Sequence, residues 1–234
     1  MSALHDIQQH LRALADPAVA KISQGFFKTG PGQYGAGDIF IGIKVPTLRA
    51  QLKHFRGAAL ETVAALLHSQ HHEERLFALL LLIDTYQRCA ATRQDAYELY
   101  LAHTRFINNW DLVDVSAPHI VGHFLADKPR RPLYALVGSN SLWERRIAII
   151  ATFHFIRGND FADTLDLSER LLGDKHDLMH KAVGWMLREV GKRDQQVEET
   201  FLLRHYRDMP RTMLRYAIER FPEERRKAYL AGRL

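Results

Sequence analysis

Residues 108–114, Asn-Asn-Trp-Asp-Leu-Val-Asp, hold the side chains with the clearest potential for chemistry. Trp110 and Asp114 are four positions apart, so a helix would place them one turn from each other on the same surface. A tryptophan face and an ionised carboxylate both attract positive charge, and more strongly where water is scarce. Since a buried core gains nothing from the carboxylate, the pair favours a site that holds a cation.

The other acid of this stretch, Asp111, has a simpler interpretation. Asn108 can cap the helix, and Asp111 then lies in the first turn, where the helix dipole favours negative charge. Asp114 lies beyond that turn, and its alternative is a surface carboxylate paired with an arginine. Pro118 is predicted to end or kink this helix shortly afterwards.

The composition is that of an ordinary globular protein. The 234 residues are 47% hydrophobic and 25% charged, and we expect one domain over residues 1–234. A net charge of +5 with a pI near 9.4 permits a polyanionic partner without requiring one.

The single cysteine, Cys89, excludes an intramolecular disulfide and fits a reducing compartment, so we expect a cytoplasmic protein. Cys89 itself is interpreted as a packing residue at a helix end. The amino terminus shows no signal-peptide pattern. The longest apolar run, residues 77–83, is too short to cross a membrane.

Nearly the whole chain has helical spacing of apolar residues, and no segment alternates with a period of two. The first two helices are predicted at 3–14 and 19–28, and another begins near Pro46. The later ones are predicted at 60–68, 73–88, 95–107, 109–125, 133–137, 142–156, 161–172, 178–191, 197–206 and 212–221. The fold class is therefore predicted to be all-α.

Residues 29–38 interrupt the helices with four glycines and one proline, which predicts a loop. The loop superficially resembles a phosphate-binding loop. It lacks the Gly-Lys-Ser/Thr ending, and no convincing strand precedes it, so nucleotide binding is disfavoured.

Small residues recur in the middle of five apolar helices, with steps of 35, 35, 36 and 33 residues. They are Ala78, Val113, Ala148, Gly184 and Ala217. Such a period is typical of an α-solenoid, in which each helix pair packs only against its neighbours. The alternative is an all-helical protein whose short loops give this spacing by chance.

In a solenoid, the second helix of each pair lines a concave surface. The polar residues in that register are Arg75, Trp110, Asp114, Arg145, Arg146, Lys181, Trp185, Arg188, Arg211 and Arg215. A row of cations with two tryptophans and one carboxylate suits a phosphate backbone. Arg145 and Arg146 point about 100 degrees apart; Arg146 is the better groove candidate, and a surface pair with Glu144 is the alternative for either.

Two histidine pairs, His119 with His123 and His176 with His180, have the i, i+4 spacing that a zinc site can use. Neither has the intervening glutamate and third ligand of a zinc protease. Thirteen histidines make chance pairs common, so we expect no metal and no cofactor.

Four segments resemble the AlkD-type DNA alkylation repair glycosylases, and the likeness extends from about Phe26 to Phe221. The segments are residues 40–46 (Phe-Ile-Gly-Ile-Lys-Val-Pro), 110–114, 143–148 (Trp-Glu-Arg-Arg-Ile-Ala) and 181–189 (Lys-Ala-Val-Gly-Trp-Met-Leu-Arg-Glu). The resemblance implies a right-handed superhelical α-solenoid of HEAT-like repeats with a concave basic groove. It also implies excision of cationic N-alkylated purines, such as 3-methyladenine and 7-methylguanine, from duplex DNA without base flipping.

The resemblance also implies roles for individual residues. Asp114 takes the position of the catalytic carboxylate, Trp110 and Trp185 those of the aromatic walls, and Arg146, Arg188 and Lys181 those of DNA-contacting cations. Two features depart from the pattern of that family: Lys44 occupies a position that is not basic there, and loop 29–38 is longer. The resemblance implies that both lie near where DNA would be clamped.

An alkylated purine is already a cationic leaving group, so its excision needs no general acid. Asp114 could stabilise the oxocarbenium-like sugar and position water. No lysine stands out as a Schiff-base nucleophile, so a monofunctional enzyme is expected. We also expect the protein to be a monomer. The alternatives are a non-catalytic HEAT-like protein that binds damaged or branched DNA and, more remotely, a protein-binding scaffold.

Overall fold

The computed structural model describes residues 3–234, which form helices joined by short turns. Within that range there is no strand, and one isolated bridge joins Ile39 to His71. The predicted all-α class is confirmed. Backbone contacts divide the chain into two compact units, one ending at Ser116 and the other covering Ala117–Leu234.

The first unit contains eight α-helices in its described residues. They are α1 Ala3–Arg12, α2 Pro17–Phe26, α3 Val45–Ala50, α4 Leu52–Phe55, α5 Leu60–Leu67, α6 His72–Arg88, α7 Arg93–Ala102 and α8 Trp110–Ser116, with 3-10 turns at Ala90–Thr92 and Thr104–Phe106. The prediction of a continuous helix over 95–107 was wrong, because α7 ends at Ala102 and a 3-10 turn follows. Residues 29–38 form turns, as predicted.

Helix α6 is the centre of the first unit, and it packs against α5, α7 and α8. Its residues 76–82 are all buried. A helix that is apolar on every side belongs in the middle of a core, and each fully buried leucine contributes roughly 1.5–3 kcal/mol to folding.

The amino end of α6 begins with four buried polar residues, and Glu73 among them holds the chain ahead of α3. Its carboxylate accepts hydrogen bonds from the backbone N–H groups of Ile41, Gly42 and Ile43 at 3.0, 2.8 and 3.3 Å. Gly42 has a φ of +88°, and a Cβ there would lie 1.9 Å from the carbonyl oxygen of Asp16. Only glycine fits this close approach to α2.

The next residue, Glu74, ties α1 to α6. Its carboxylate accepts from Gln8 Nε2 at 2.8 Å, Arg12 Nε at 3.1 Å and Ser69 Oγ at 2.6 Å. A buried carboxylate with three donors is satisfied, so it fixes the position of α1 without the cost of an unpaired charge.

The second unit contains the remaining eight α-helices. They are α9 Arg131–Val137, α10 Leu142–Ala151, α11 Phe153–Arg157, α12 Ala162–Arg170, α13 Asp177–Gly191, α14 Gln195–His205, α15 Arg211–Ala217 and α16 Glu223–Leu230, with a π-helical turn at Pro118–Gly122 and a 3-10 turn at Ile218–Arg220. Pro118 starts the π-helical turn, so the predicted helix over 109–125 is interrupted as expected. The predicted helix over 142–156 is divided at Thr152.

Helix α13 is the centre of the second unit, and it packs against α10, α14 and α15. Gly184 lies where α13 meets α15, and a Cβ there would be 2.4 Å from the carbonyl oxygen of Met213. The small residue at this place in the register therefore allows two helix backbones to approach each other closely.

The same capping arrangement occurs twice, 70 residues apart, once in each unit. Ser69 and Ser139 each accept the backbone N–H of the residue two positions later at 3.0 Å. Each hydroxyl also donates to the glutamate five positions later, Glu74 at 2.6 Å and Glu144 at 2.5 Å. An offset of two periods supports the 35-residue repeat that the small residues predicted.

Candidate functional site

Helix α8 carries Trp110 and Asp114, both half-buried, one turn apart as predicted. The helix is capped by Asn109, whose Oδ1 accepts from the backbone N–H of Trp110 at 2.9 Å. The prediction that Asn108 is the cap was wrong. The Asn108 side-chain oxygen is buried and has no hydrogen-bond partner within residues 3–234.

A network of buried charges holds the amino end of α8. His72 contacts Asp111 through Nε2 at 2.8 Å and Asp38 through Nδ1 at 3.1 Å. Asp38 also accepts from Arg75 Nη2 at 2.5 Å and from Asn109 Nδ2 at 3.1 Å. Since both ring nitrogens of His72 face carboxylates, both carry protons and the ring is an imidazolium.

The pKa values of this buried network agree with that charge state. Burial by itself would lower the pKa of His72, but the hydrogen bonds and charges of Asp111 and Asp38 raise it to about 9. Burial opposes ionisation of Asp38 too, yet His72, Arg75 and Asn109 hold the pKa of that carboxyl below its usual value. At neutral pH the network therefore contains two cations and two anions.

These contacts correct two interpretations from the sequence. Asp111 does more than complement the helix dipole, because it joins α8 to α6 through His72. Arg75 is not a groove cation, since it is buried and paired with Asp38.

The carboxyl end of α8 is held by a second buried contact. Tyr100 Oη and Ser116 Oγ are 2.9 Å apart, and Ser116 Oγ also donates to the carbonyl oxygen of Leu112 at 2.5 Å. Burial first, and then the Asp114 charge, raise the pKa of Tyr100 above its usual value, although its Ser116 bond lowers it. Helix α8 is thus fixed at both ends, and Asp114 lies between the two anchors.

Aromatic rings connect Trp110 to the charged histidine. Trp110 stacks on Phe27 with 5.2 Å between ring centroids, Phe27 on Phe40 at 4.9 Å, and Phe40 on His72 at 4.4 Å. Phe26 meets Trp110 edge-on at 5.9 Å. An imidazolium over an aromatic face is favourable, so the column of rings orients the Trp110 indole.

Trp110 occupies a position of the repeat at which the other repeats have a side chain with a nitrogen donor. At 35-residue intervals the position is occupied by Arg75, Trp110, Arg145 and His180. Arg145 donates to the carbonyl oxygens of residues 139 and 140, both at 3.0 Å, and His180 contacts the carbonyl of Asp174 at 2.6 Å. The indole replaces this loop-binding side chain only in the repeat that also holds Asp114, which indicates that this repeat is specialised.

Lys44 also belongs to the first unit. It is exposed and is the residue immediately before α3, whose first turn contains Pro46 two positions later. No ion pair of Lys44 occurs in the described part of the chain.

The second unit contains the two adjacent arginines of α10. Arg146 is only 5% exposed, and its Nη1 donates to the carbonyl oxygen of Leu178 at 2.6 Å. Arg145 pairs with Asp174 at 2.7 Å. The alternative of a surface pair with Glu144 was therefore wrong for Arg145.

Trp185 lies on α13 and is half-buried. Its indole Nε1 donates to Glu189 Oε1 at 3.0 Å, and the same oxygen contacts Lys192 Nζ at 2.6 Å. The Phe153 ring lies 5.8 Å away. Glu189 therefore orients this second tryptophan.

The two cations of α13 both face carboxylates. Lys181 Nζ is 2.7 Å from Asp177 Oδ2, one turn earlier on the same helix. Arg188 pairs with Glu219, which lies in the 3-10 turn after α15. An anionic ligand at either cation has to share it with, or take it from, these acids.

Glu198 lies near Arg188, and its buried carboxyl group gives the stability of the protein an unusual pH dependence. The side chain is 2% exposed, and its Oε1 has no hydrogen-bond partner in the described chain. Burial, and then Glu199, raise the pKa of Glu198 to about 8, although Arg188 lowers it. Folding raises the pKa of this acid, so its contribution to stability is fully present below the pKa of the unfolded state, 4.5. The contribution is lost as the pH rises from there through 8.

We therefore expect Glu198→Gln to raise the free energy of unfolding at pH 8 by roughly 2–4 kcal/mol. Urea denaturation from pH 4.5 to 8 checks this, and between pH 4.5 and 6.5, below the range in which His72 titrates, the variant is expected to lose most of the slope of the wild type. Glu224→Gln, at an exposed position, is the matched control. Equal slopes in the Glu198 variant and the wild type would contradict the prediction.

Within residues 3–234 no group of three or more His, Cys, Asp or Glu side chains is arranged to hold a metal ion. None of the described helices is both long and apolar enough to span a membrane. Cys89 is exposed, so its interpretation as a packing residue was wrong.

Residues 7–221 match the family model described as DNA alkylation repair enzyme. The chain belongs to this family. The resemblance found in the sequence is thereby confirmed, and the family assigns the chain a role in the repair of alkylated DNA. No match was found among the curated proteins.

A solved structure supports the fold of this DNA alkylation repair family member. The chain is similar to a "Predicted DNA alkylation repair enzyme from Enterococcus faecalis", with a TM-score of 0.69 and 18% sequence identity. The alignment covers 89% of this chain and 97% of the other. At this identity the likeness supports a common helical architecture.

Three residues around the candidate site of this family member were not predicted from the sequence. The sequence pattern places Asp38 at the end of a glycine-rich loop, His72 just before a helix, and Phe27 within a helix. The available signal was the run of four polar residues, 72–75, at the start of the most apolar helix, because such residues need buried partners.

Proposed function

We propose that this DNA alkylation repair family member is a monofunctional DNA glycosylase. It hydrolyses the N-glycosidic bond of cationic N-alkylated purines, of the 3-methyladenine and 7-methylguanine type, in duplex DNA. The observation that carries the proposal is helix α8, fixed at both ends by buried hydrogen bonds, with Trp110 and Asp114 one turn apart.

Asp114 is the proposed catalytic group. As the bond to the cationic purine breaks, positive charge develops on the deoxyribose. A carboxylate held in place beside that sugar stabilises the charge without having to reorient, and it can position the attacking water. Because the leaving purine is already cationic, the site needs no general acid.

The two tryptophans are the proposed aromatic contacts to the deoxyribose and the cationic base. The ring of Trp110 is oriented by Phe27, and Trp185 by its bond to Glu189. An indole face attracts a nearby cation by about 0.5–2 kcal/mol. This contribution supplements the larger effect of the carboxylate.

The proposed DNA-binding residues are Lys44, Arg146, Lys181 and Arg188. Lys44 is exposed, and Lys181 is half-buried beside Asp177. Arg146 and Arg188 contact the Leu178 carbonyl and Glu219. We expect Lys44 to bind phosphate directly, Lys181 to share a phosphate with Asp177, and the two arginines to bind after exchange of these contacts.

The test is release of 7-methylguanine from methylated duplex DNA, measured by chromatography of the free base. The protein is expected to release the base well above the buffer blank and to leave abasic sites uncut until alkali is added. Strand cleavage without alkali would contradict a monofunctional enzyme. Salt-dependent duplex binding with no base release would instead favour a non-catalytic protein that binds damaged DNA.

A further inference from the structure

Helix α2 has an unusual surface, because none of its side chains is buried. Ile22 and Phe26 are 71% and 64% exposed, the two highest values among the large hydrophobic residues of the described chain. They are four positions apart and so form one apolar ridge on the helix. We call these two side chains the α2 ridge.

The chain around the α2 ridge is strongly basic. Residues 17–60 contain six Lys and Arg, namely Lys21, Lys28, Lys44, Arg49, Lys53 and Arg56. Their single acid, Asp38, is buried and neutralised by Arg75 and His72. In the described part of the chain only Arg56 among these six has an ion pair, with Asp84 at 3.4 Å.

The α2 ridge is continuous with the candidate site. Phe26 meets the Trp110 ring edge-on at 5.9 Å, and its neighbour Phe27 stacks on that ring. The segment before Lys44 also lies against α2, since a Cβ on Gly42 would be 2.7 Å from the backbone nitrogen of Ala20. A ligand of Trp110 that extends beyond the indole therefore meets the ridge and its cations.

The exposed apolar side chains are flanked by lysines, and the exposed acid Asp16 is engaged in capping the amino end of α2. Such a surface fits a polyanion that has apolar edges. Duplex DNA has both features, because its grooves expose deoxyribose and base edges between two rows of phosphates. An acidic protein surface would satisfy the lysines and leave the ridge without a partner. The charge and the ridge together favour DNA.

We propose that the α2 ridge is a second DNA-contacting element of the chain. Ile22 and Phe26 lie against deoxyribose and base edges in a groove of the duplex, and Lys21, Lys28 and Lys44 bind the flanking phosphates. This role rests on the DNA-binding part of the proposed function, and it does not depend on catalysis.

The first experiment measures the affinity of the full chain for undamaged duplex DNA by fluorescence anisotropy. The double variant Ile22→Ser/Phe26→Ser is expected to bind about tenfold more weakly, a difference of about 1.4 kcal/mol. The control is Leu203→Ser on α14, which removes another exposed apolar side chain (49%). Thermal unfolding verifies that both variants fold. Equal affinity of the wild type and the double variant for the duplex would overturn the proposal that the α2 ridge contacts DNA.

The second experiment measures how binding depends on salt between 50 and 200 mM. The triple variant Lys21→Gln/Lys28→Gln/Lys44→Gln is expected to lower the slope of log K against log salt by about 2–3, since each phosphate contact contributes about 0.9. An unchanged slope would exclude these lysines as phosphate contacts.

The two proposals fail separately. If the ridge variant loses affinity for the duplex but the wild type releases no 7-methylguanine, the α2 ridge is supported as a DNA contact and the glycosylase proposal is rejected. If the wild type releases the base but the ridge variant keeps its affinity, the glycosylase proposal stands and the ridge proposal is rejected.

Discussion

Replacing Asp114 by asparagine is expected to lower the rate of 7-methylguanine release about 10²–10³-fold. Asparagine has nearly the same shape as aspartate, so the substitution removes the charge and little else. The loss corresponds to about 3–4 kcal/mol of transition-state stabilisation, the usual effect of removing one preorganised electrostatic group. Affinity for the duplex should change little, because the charge on the sugar develops only as the bond breaks.

Single-turnover release from methylated DNA measures this effect directly, and Asp111→Asn is the matched control. Asp111 lies three residues earlier on α8 and contacts His72, so its loss is expected to act mainly on stability. The free energies of unfolding of both variants separate the two effects. If folded Asp114→Asn protein releases 7-methylguanine as fast as the wild type, Asp114 is not the catalytic carboxylate.

The sequence was sufficient to predict the local features of the fold. Apolar residues at helical spacing predicted the helices, and Trp110 and Asp114 do share one helix. The 35-residue period depends on nearest-neighbour packing, which repeats along the chain. The recurrence of the Ser69 and Ser139 capping arrangement after 70 residues follows from the same regularity.

The support of α8 could not be predicted in the same way, because it depends on contacts distant in sequence. Asp38 and Asp111 lie 34 and 39 residues from His72. No local pattern distinguishes such acids from surface acids, and most surface acids have no fixed partner. The sequence therefore connects Asp111 only with the helix dipole and Arg75 with a groove, although both belong to one buried network.

Helix ends were mistaken for a related reason. Asn108 and Asn109 are both good capping residues, and the choice depends on which side chain has another partner. Asn109 reaches Asp38 through Nδ2 while its Oδ1 caps α8. One residue satisfies two requirements, and the second is visible only in three dimensions.

The replacement of His72 by glutamine is expected to lower the free energy of unfolding by about 3–5 kcal/mol at pH 7, the usual cost of removing one partner from a buried ion pair. The substitution leaves Asp38 and Asp111 in the interior without the cation between them. Chemical denaturation measures the loss. His54→Gln, at an exposed histidine, is the control, and a loss below 1 kcal/mol would mean that the network adds little to stability.

The wild type should also lose the His72 contribution in alkaline solution. Folding raises the pKa of His72 from 6.5 to about 9, so its stabilisation is fully present below pH 6.5 and disappears as the pH rises through 9. The difference between the two pKa values corresponds to about 3 kcal/mol. Glu198 has an overlapping pH dependence up to about 8, so the comparison is sharpest with Glu198→Gln in both proteins.

In that background, the free energy of unfolding should fall between pH 6.5 and 9.5 when His72 is present. It should stay nearly constant over the same range when His72→Gln is added. Parallel curves would show that the imidazolium is not the titrating group.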